Sequence, residues 1–189
     1  KQEIIRLTNQ KKVNVLMAGI PCQSFSMSGY RIRKGIDNSS DPRHFLYREF
    51  FRIVDILKPD VILIENVKGI LSSRLKGEKV FNLIKKDLSN PGSAVNGGNG
   101  LSLKYDIFSF NPIEHTSEVG PLLAHEPDYL EPSDFVIKSE NYGIPQERHR
   151  VILLGIQNDK DVAPNQDSIL KESIPFSIED AIKDLPKLR

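Results

Sequence analysis

The stretch Val61-Ile62-Leu63-Ile64-Glu65-Asn66-Val67 decides how this chain is read. Four apolar residues run without alternation and then meet an acid and an amide. An unbroken apolar run of this length predicts a strand buried on both faces, as in a parallel sheet. Just upstream, Leu46, Phe50, Ile53, Val54 and Leu57 fall at i, i+4, i+7, i+8 and i+11 within Arg43 to Leu57. That spacing predicts one apolar face of a helix. Asp41 before Pro42 suits an N-cap followed by proline in the first turn, and Lys58-Pro59 closes the helix. Further upstream, Val13 to Ile20 (VNVLMAGI) is a second short apolar run, stopped by Pro21. Strand, helix, strand is a βαβ unit with a right-handed crossover.

Downstream, Glu78 to Leu88 predicts a helix with Val80, Phe81, Ile84 and Leu88 inward. Pro91 to Gly100 (PGSAVNGGNG) has the composition of a flexible linker. It is not a phosphate loop, because no Gly-Lys-Ser/Thr follows. Leu103 to Phe110 reads as a strand, and residues 111–133 as a loop insertion. Phe135 to Lys138 and Val151 to Ile156 read as two more strands, arranged as a hairpin, and Ser177 to Leu185 as a short helix before Pro186. The expected fold is α/β with a mostly parallel sheet, and residues 1–189 read as one domain.

Composition agrees with a globular domain: of 189 residues, 39% are hydrophobic and 27% charged. A net charge of +1 argues against nucleic-acid binding through bulk charge, though not against a few placed arginines. One cysteine excludes an intrachain disulfide and a multi-cysteine metal site. No apolar run approaches the roughly 20 residues of a membrane span, and the polar start, Lys1 to Lys12, lacks the apolar stretch of a signal peptide. A cytoplasmic protein is therefore expected. His44, His115, His125 and His149 show no ligand spacing, so no metal is expected.

In open α/β sheets ligands bind beyond the carboxyl ends of the strands. There the first strand gives Pro21-Cys22-Gln23-Ser24-Phe25-Ser26 and the second gives Glu65-Asn66-Val67. Neighbouring parallel strands bring Cys22 and Glu65 to one crevice. A lone cysteine is as often a small buried hydrophobe, but Pro21 ends the strand and a polar loop follows. Glu65, directly after four apolar residues, is costly to place without a task or a partner. Gln146, Arg148 and Arg150 alternate before the last strong strand, so in an extended segment they share a face. Two guanidiniums there can grip a carboxylate, a phosphate or a base edge, or simply line a solvated edge. Tyr30-Arg31-Ile32-Arg33-Lys34 adds charge to the loop after Cys22, where solvated surface is the plainer reading.

Together these residues resemble the cytosine-C5 DNA methyltransferases of bacterial type. The match lies in PCQSFSMSG (Pro21 to Gly29), ENVKG (Glu65 to Gly69) and YGIPQERHRVILLGI (Tyr142 to Ile156), in order and each at a strand end. SIEDAIKDLP (Ser177 to Pro186) is similar to the segment that precedes the family's target-recognition region. The resemblance implies a Rossmann-like methyltransferase fold and S-adenosylmethionine as methyl donor, with Pro21 and Leu46 in contact with it. It implies double-stranded DNA as partner, with the target cytosine flipped out of the stack. Cys22 would be the nucleophile at C6. Glu65 would act near N3 and N4, with Asn66 supporting its turn. Arg150 would meet the cytosine O2 or a phosphate, and Arg148 would position Glu65. Gln23, Ser26 and Ser28 would meet the DNA, and Gln146 would make a loop contact. The family's Gly-rich cofactor strand and its target-recognition domain have no counterpart in this sequence. The chain therefore resembles the central catalytic segment: a piece of a longer enzyme, one subunit of a split enzyme completed by a complementary chain, or a non-catalytic module that binds DNA or a partner. A tRNA-directed relative fits less well, because PCQSFS and GIPQERHR are spelled as in the bacterial DNA enzymes.

Overall fold

The computed structural model describes residues 1–20, 46–75, 77–96, 103–111, 130–160 and 169–186. Helix α1 (Gln2–Leu7) precedes strand β1 (Val15–Gly19). Helix α2 (Leu46–Leu57) leads to strand β2 (Val61–Val67). A 3-10 turn at Lys68–Leu71 and a small ribbon of β3 (Arg74–Leu75) with β4 (Glu78–Lys79) carry the chain into α3 (Val80–Ser89) and α4 (Pro91–Asn96). Strand β5 (Tyr105–Phe108), strand β6 (Val136–Lys138), strand β7 (His149–Gln157) and helix α5 (Ile178–Ile182) complete the order.

The main sheet runs β1-β2-β7-β5, and β6 pairs with β7 beyond β5. Strands β1 and β2 are parallel, with Gly19 beside Glu65. Strand β7 is antiparallel to β2, β5 and β6. The expected mostly parallel sheet is thus corrected at the level of pairing: among the described residues β1 with β2 is the single parallel pair, although every strand of the main sheet but β7 points the same way. The reason is local. Residues 139–148, with a 3-10 turn and no crossover helix, link β6 to β7, and a connection shorter than a crossover returns the chain antiparallel. The predicted hairpin of these two strands is present.

One face of the sheet carries Ile62, Ile64, Val151 and Leu153, all buried. Helices α2 and α3 cover it with Phe50, Phe51, Val54, Phe81, Ile84 and Leu88. All four residues predicted inward on α3 are buried. On α2, Phe51 is fully buried although it lies off the predicted stripe, and it meets Phe50 edge to face at 5.5 Å. Strand β2 alternates buried and half-buried residues, so the expectation of burial on both faces does not hold. Among the described residues helices α2 and α3 pack on this face; on the other, Val15 and Met17 are 55% and 68% exposed.

The expected linker over 91–100 is corrected for its first part: Pro91–Asn96 is helical, with Pro91 and Gly92 buried. Asn90 caps it through the Ser93 N–H, and proline stands in the first turn, a start signal that the flexible composition masked. Of the expected insertion at 111–133, residues 112–129 lie outside the described residues, and Pro132–Phe135 form a 3-10 turn. Among the described residues no helix is long and apolar enough to cross a membrane.

Candidate active site

The carboxyl ends of β1 and β2 lie side by side. The Ile20 N–H donates to the Glu65 carbonyl at 3.3 Å. Asn66 is 2% exposed and ties the two ends together. Its Nδ2 donates to the Ile20 carbonyl at 3.4 Å, and its Oδ1 accepts from the Val67 N–H at 2.9 Å. A buried amide in this position must satisfy its own polar groups, and here it does so by fixing where β1 ends. Pro21, Cys22, Gln23, Ser26 and Ser28, which follow, lie outside the described residues, as does the basic run Tyr30 to Lys34. Leu46 opens α2, but its side chain is likewise not described.

Glu65 projects from the opposite, more open face of β2. Its neighbours follow from register. In β1 it faces Gly19, and a Cβ at Gly19 would sit 3.4 Å from Glu65 Oε2. In β7, Arg150 stands opposite Val67, which makes it the diagonal neighbour of Glu65 on the same face. Arg150 Nε reaches Glu65 Oε1 at 2.8 Å. Arg150 Nη1 also donates to the His149 carbonyl at 2.8 Å. The carboxylate is thus held between the glycine that ends β1 and a guanidinium from β7. Glu65 keeps 42% of its side chain exposed, so the pair remains within reach of a ligand.

This geometry redistributes the expected roles. Arg150, not Arg148, contacts Glu65. Arg148 is exposed, and its carbonyl accepts from the N–H and hydroxyl of Ser139 at 3.2 and 2.7 Å. Gln146 is exposed too, in a tight bend whose N–H bonds the Ile144 carbonyl at 2.7 Å. Strand pairing begins only at His149, so the shared face expected for Gln146, Arg148 and Arg150 does not form. Sequence reading passed over Gly143 and the Glu140–His149 contact. Gly143 takes φ +74° to end the 3-10 turn Ser139–Tyr142, and the left-handed region is where glycine is cheap. His149 Nε2 lies 2.6 Å from Glu140 Oε1. Glu140 is held below the usual carboxylate range by its own backbone N–H and then by His149. Among the described residues no cluster of His, Cys, Asp or Glu could hold a metal ion.

A half-exposed carboxylate braced by arginine at the end of a strand can share a proton with a planar substrate. The family model for C-5 cytosine-specific DNA methylases matches residues 1–96 and 131–189. The type II methyltransferase M.Bpa9945I of Bacillus paralicheniformis is 30% identical over 190 residues, covering 100% of this chain and 36% of that protein. M.HhaI of Haemophilus parahaemolyticus is 29% identical over 184 residues, covering 96% and 41%. The chain thus spans well under half the length of these relatives. Among solved structures, an E. coli prophage protein assigned as a DNA modification methyltransferase superposes with a TM-score of 0.57 at 24% identity, over 98% of this chain and 39% of that one, a likeness of fold.

Proposed function

Because the chain belongs to the C-5 cytosine-specific DNA methylase family, we propose that it carries the reacting groups of a DNA cytosine-5 methyltransferase. The observation that carries this reading is the Glu65–Arg150 pair at 2.8 Å, at the edge where β1 runs into Pro21-Cys22. The substrate is a cytosine in double-stranded DNA, flipped out of the stack so that a thiol can reach it. The Cys22 thiolate adds to C6 and forms an S–C6 bond, which pushes the C5–C6 electron pair toward C5 and the N3 side of the ring. Glu65 shares a proton there and keeps the ring from accumulating charge. Arg150 holds that carboxylate in place and presents its remaining donors to the cytosine O2 or a phosphate. C5 would then take the methyl group while the donor leaves as a neutral thioether; the C5 proton passes to water, its bond pair restores C5=C6, the S–C6 bond breaks to return the thiolate, and the shared proton goes back to Glu65.

S-adenosylmethionine supplies the electrophilic methyl group when bound. The open carboxyl edge shared by β1 and β2, rimmed by side-chain-free Gly19, suits such a ligand, and Pro21 and Leu46 would hold it. Gln23, Ser26 and Ser28 would meet the DNA. The test is trapping on duplex DNA carrying 5-fluorocytosine, where C5 cannot shed fluorine as it sheds a proton. With S-adenosylmethionine and the additional protein that completes the enzyme, a covalent adduct is expected, absent in Cys22→Ser. An adduct of undiminished yield in that variant removes Cys22 from the nucleophile role.

The open side of the sheet supports a further part of the reading. Among the described residues β1 pairs only with β2, and Val15 and Met17 stand exposed beside it. Such an edge suits pairing with additional protein, continuous with this chain or a complementary one, which would complete the donor site and read the DNA sequence.

A further inference from the structure

The Glu140–His149 contact lies one residue from Arg150 and has no part in the reaction as written above. His149 is the first residue of β7 and stands opposite Lys138 of β6. Glu140 lies in the 3-10 turn that joins the two strands. Both side chains are about two-thirds buried, with relative exposures of 31% and 32%, and their polar atoms meet at 2.6 Å. The same turn is stapled to the preceding residue, since the Ser139 N–H and hydroxyl both bond the Arg148 carbonyl. Arg150 in turn uses one nitrogen on the His149 carbonyl and another on Glu65. Contacts therefore run unbroken from Glu140 through His149 and Arg150 to Glu65.

A guanidinium with two fixed acceptors has one orientation, whereas with one it can swing. The His149 carbonyl is the second acceptor, and the ring of the same residue is anchored by Glu140. One further feature sets this contact apart from an ordinary turn cap. Among the described residues, Glu140 Oε2 is buried with no hydrogen-bond partner. A carboxylate oxygen left dry is costly, a cost that a smaller polar residue at the turn would avoid. The acid is thus held with one oxygen committed to His149.

We propose that Glu140 is a positioning residue for Arg150, acting through His149. The proposal rests on the reading of Glu65 and Arg150 as parts of the reacting site. It places Glu140 and His149 outside contact with substrate and gives them the task of keeping the Arg150 fork aimed at Glu65.

The test reads the Arg150 Nε–H directly by NMR on the 15N-arginine-labelled chain, as its rate of exchange with solvent. Arg52, an exposed arginine on α2, serves as the internal reference. Glu65→Ala speeds Arg150 exchange by removing its acceptor. Glu140→Ala and His149→Phe each speed it roughly fivefold, the equivalent of one net hydrogen bond, with Arg52 and the amide spectrum unchanged. His149→Phe keeps the ring volume and the strand preference, so it decides the matter if Glu140→Ala does not fold. If Glu65→Ala speeds exchange but neither Glu140→Ala nor His149→Phe does, the positioning role is overturned and the reading of the site stands. If Glu65→Ala leaves exchange unchanged, the site reading fails and the positioning role fails with it.

Discussion

At the scale of single residues, Glu65 is defined by two neighbours of opposite character. Gly19 gives it room and Arg150 gives it charge. A branched side chain at position 19 would press on the carboxylate, so under the proposed function Gly19→Val is expected to lower methyl transfer by the completed enzyme more than tenfold while thermal stability changes little. Equal losses in both would point to disrupted packing. Gly143 makes a separate demand, because its φ is +74° and an added Cβ would lie 3.0 Å from Ser173 Oγ. Gly143→Ala should cost about 1–2 kcal/mol in urea unfolding, and a neutral result would mean that the turn relaxes. Glu65 and Arg150 were legible in the sequence because each stands where an apolar run changes abruptly to polar residues, whereas Cys22 lies outside the described residues. Which arginine meets Glu65 was not legible. That depends on the β2–β7 register, a fact about two distant segments that alternation within one of them does not contain. The Glu140–His149 contact was hidden for the same reason, since only the hairpin closes the gap between those residues.

At the scale of elements, α3 shows what periodicity can deliver. Val80, Phe81, Ile84 and Leu88 were readable as an inward face and are buried. Phe81 is 1% exposed, and its ring centroid lies 5.2 Å from that of Phe135. Phe81→Ala should therefore cost about 3–5 kcal/mol, measured by denaturant unfolding, and a loss below about 1 kcal/mol would mean that the core refills the space. The helix sits close on β7, where a Cβ at Gly155 would lie 3.4 Å from Leu88 Cδ1. The fully buried Phe51 and the helix Pro91–Asn96 were missed for different reasons. The first broadens a stripe that strict spacing draws too narrow. The second is a six-residue helix whose glycine- and asparagine-rich sequel outweighs its Asn-Pro start. The run Val61 to Ile64 read as buried on both faces, and composition alone could not reveal that α2 and α3 cover only one of them.

For the whole molecule, the two ends of the sheet differ in kind. The carboxyl end of β2 carries the Glu65–Arg150 pair, while the other end is closed by an ionic cluster. There Asp60 takes Lys12 at 2.7 Å and Lys160 at 3.2 Å, tying the lead-in to β1 to the exit from β7. The hydrogen bond from Lys12 is the main reason that the Asp60 carboxyl sits below its ordinary value. A carboxyl lowered on folding stabilises the protein above its unfolded pKa, and that contribution is lost as the pH falls through the lower, folded value. The melting-temperature gap between wild type and Asp60→Asn should therefore be present at neutral pH and close in acid; a gap independent of pH would assign it to packing. The exposed β1 edge leads to another expectation: the chain by itself binds S-adenosylmethionine weakly or not at all. Micromolar affinity in titration calorimetry would show that the site is complete without further protein.

The central place of β7 also has a consequence for synthesis. Strand β2 offers one edge to β1 as soon as both exist, but its other edge waits for a strand that begins only at His149. Strand β5, made earlier, has no ladder of its own until the same strand arrives. A growing chain must therefore carry one unpaired strand and one open edge, the latter on the apolar run Val61 to Ile64, until β7 is made. Non-local pairing of this kind folds slowly and leaves sticky edges open meanwhile. Yield in the cell should thus respond to chaperone supply and growth temperature even when the finished molecule is stable.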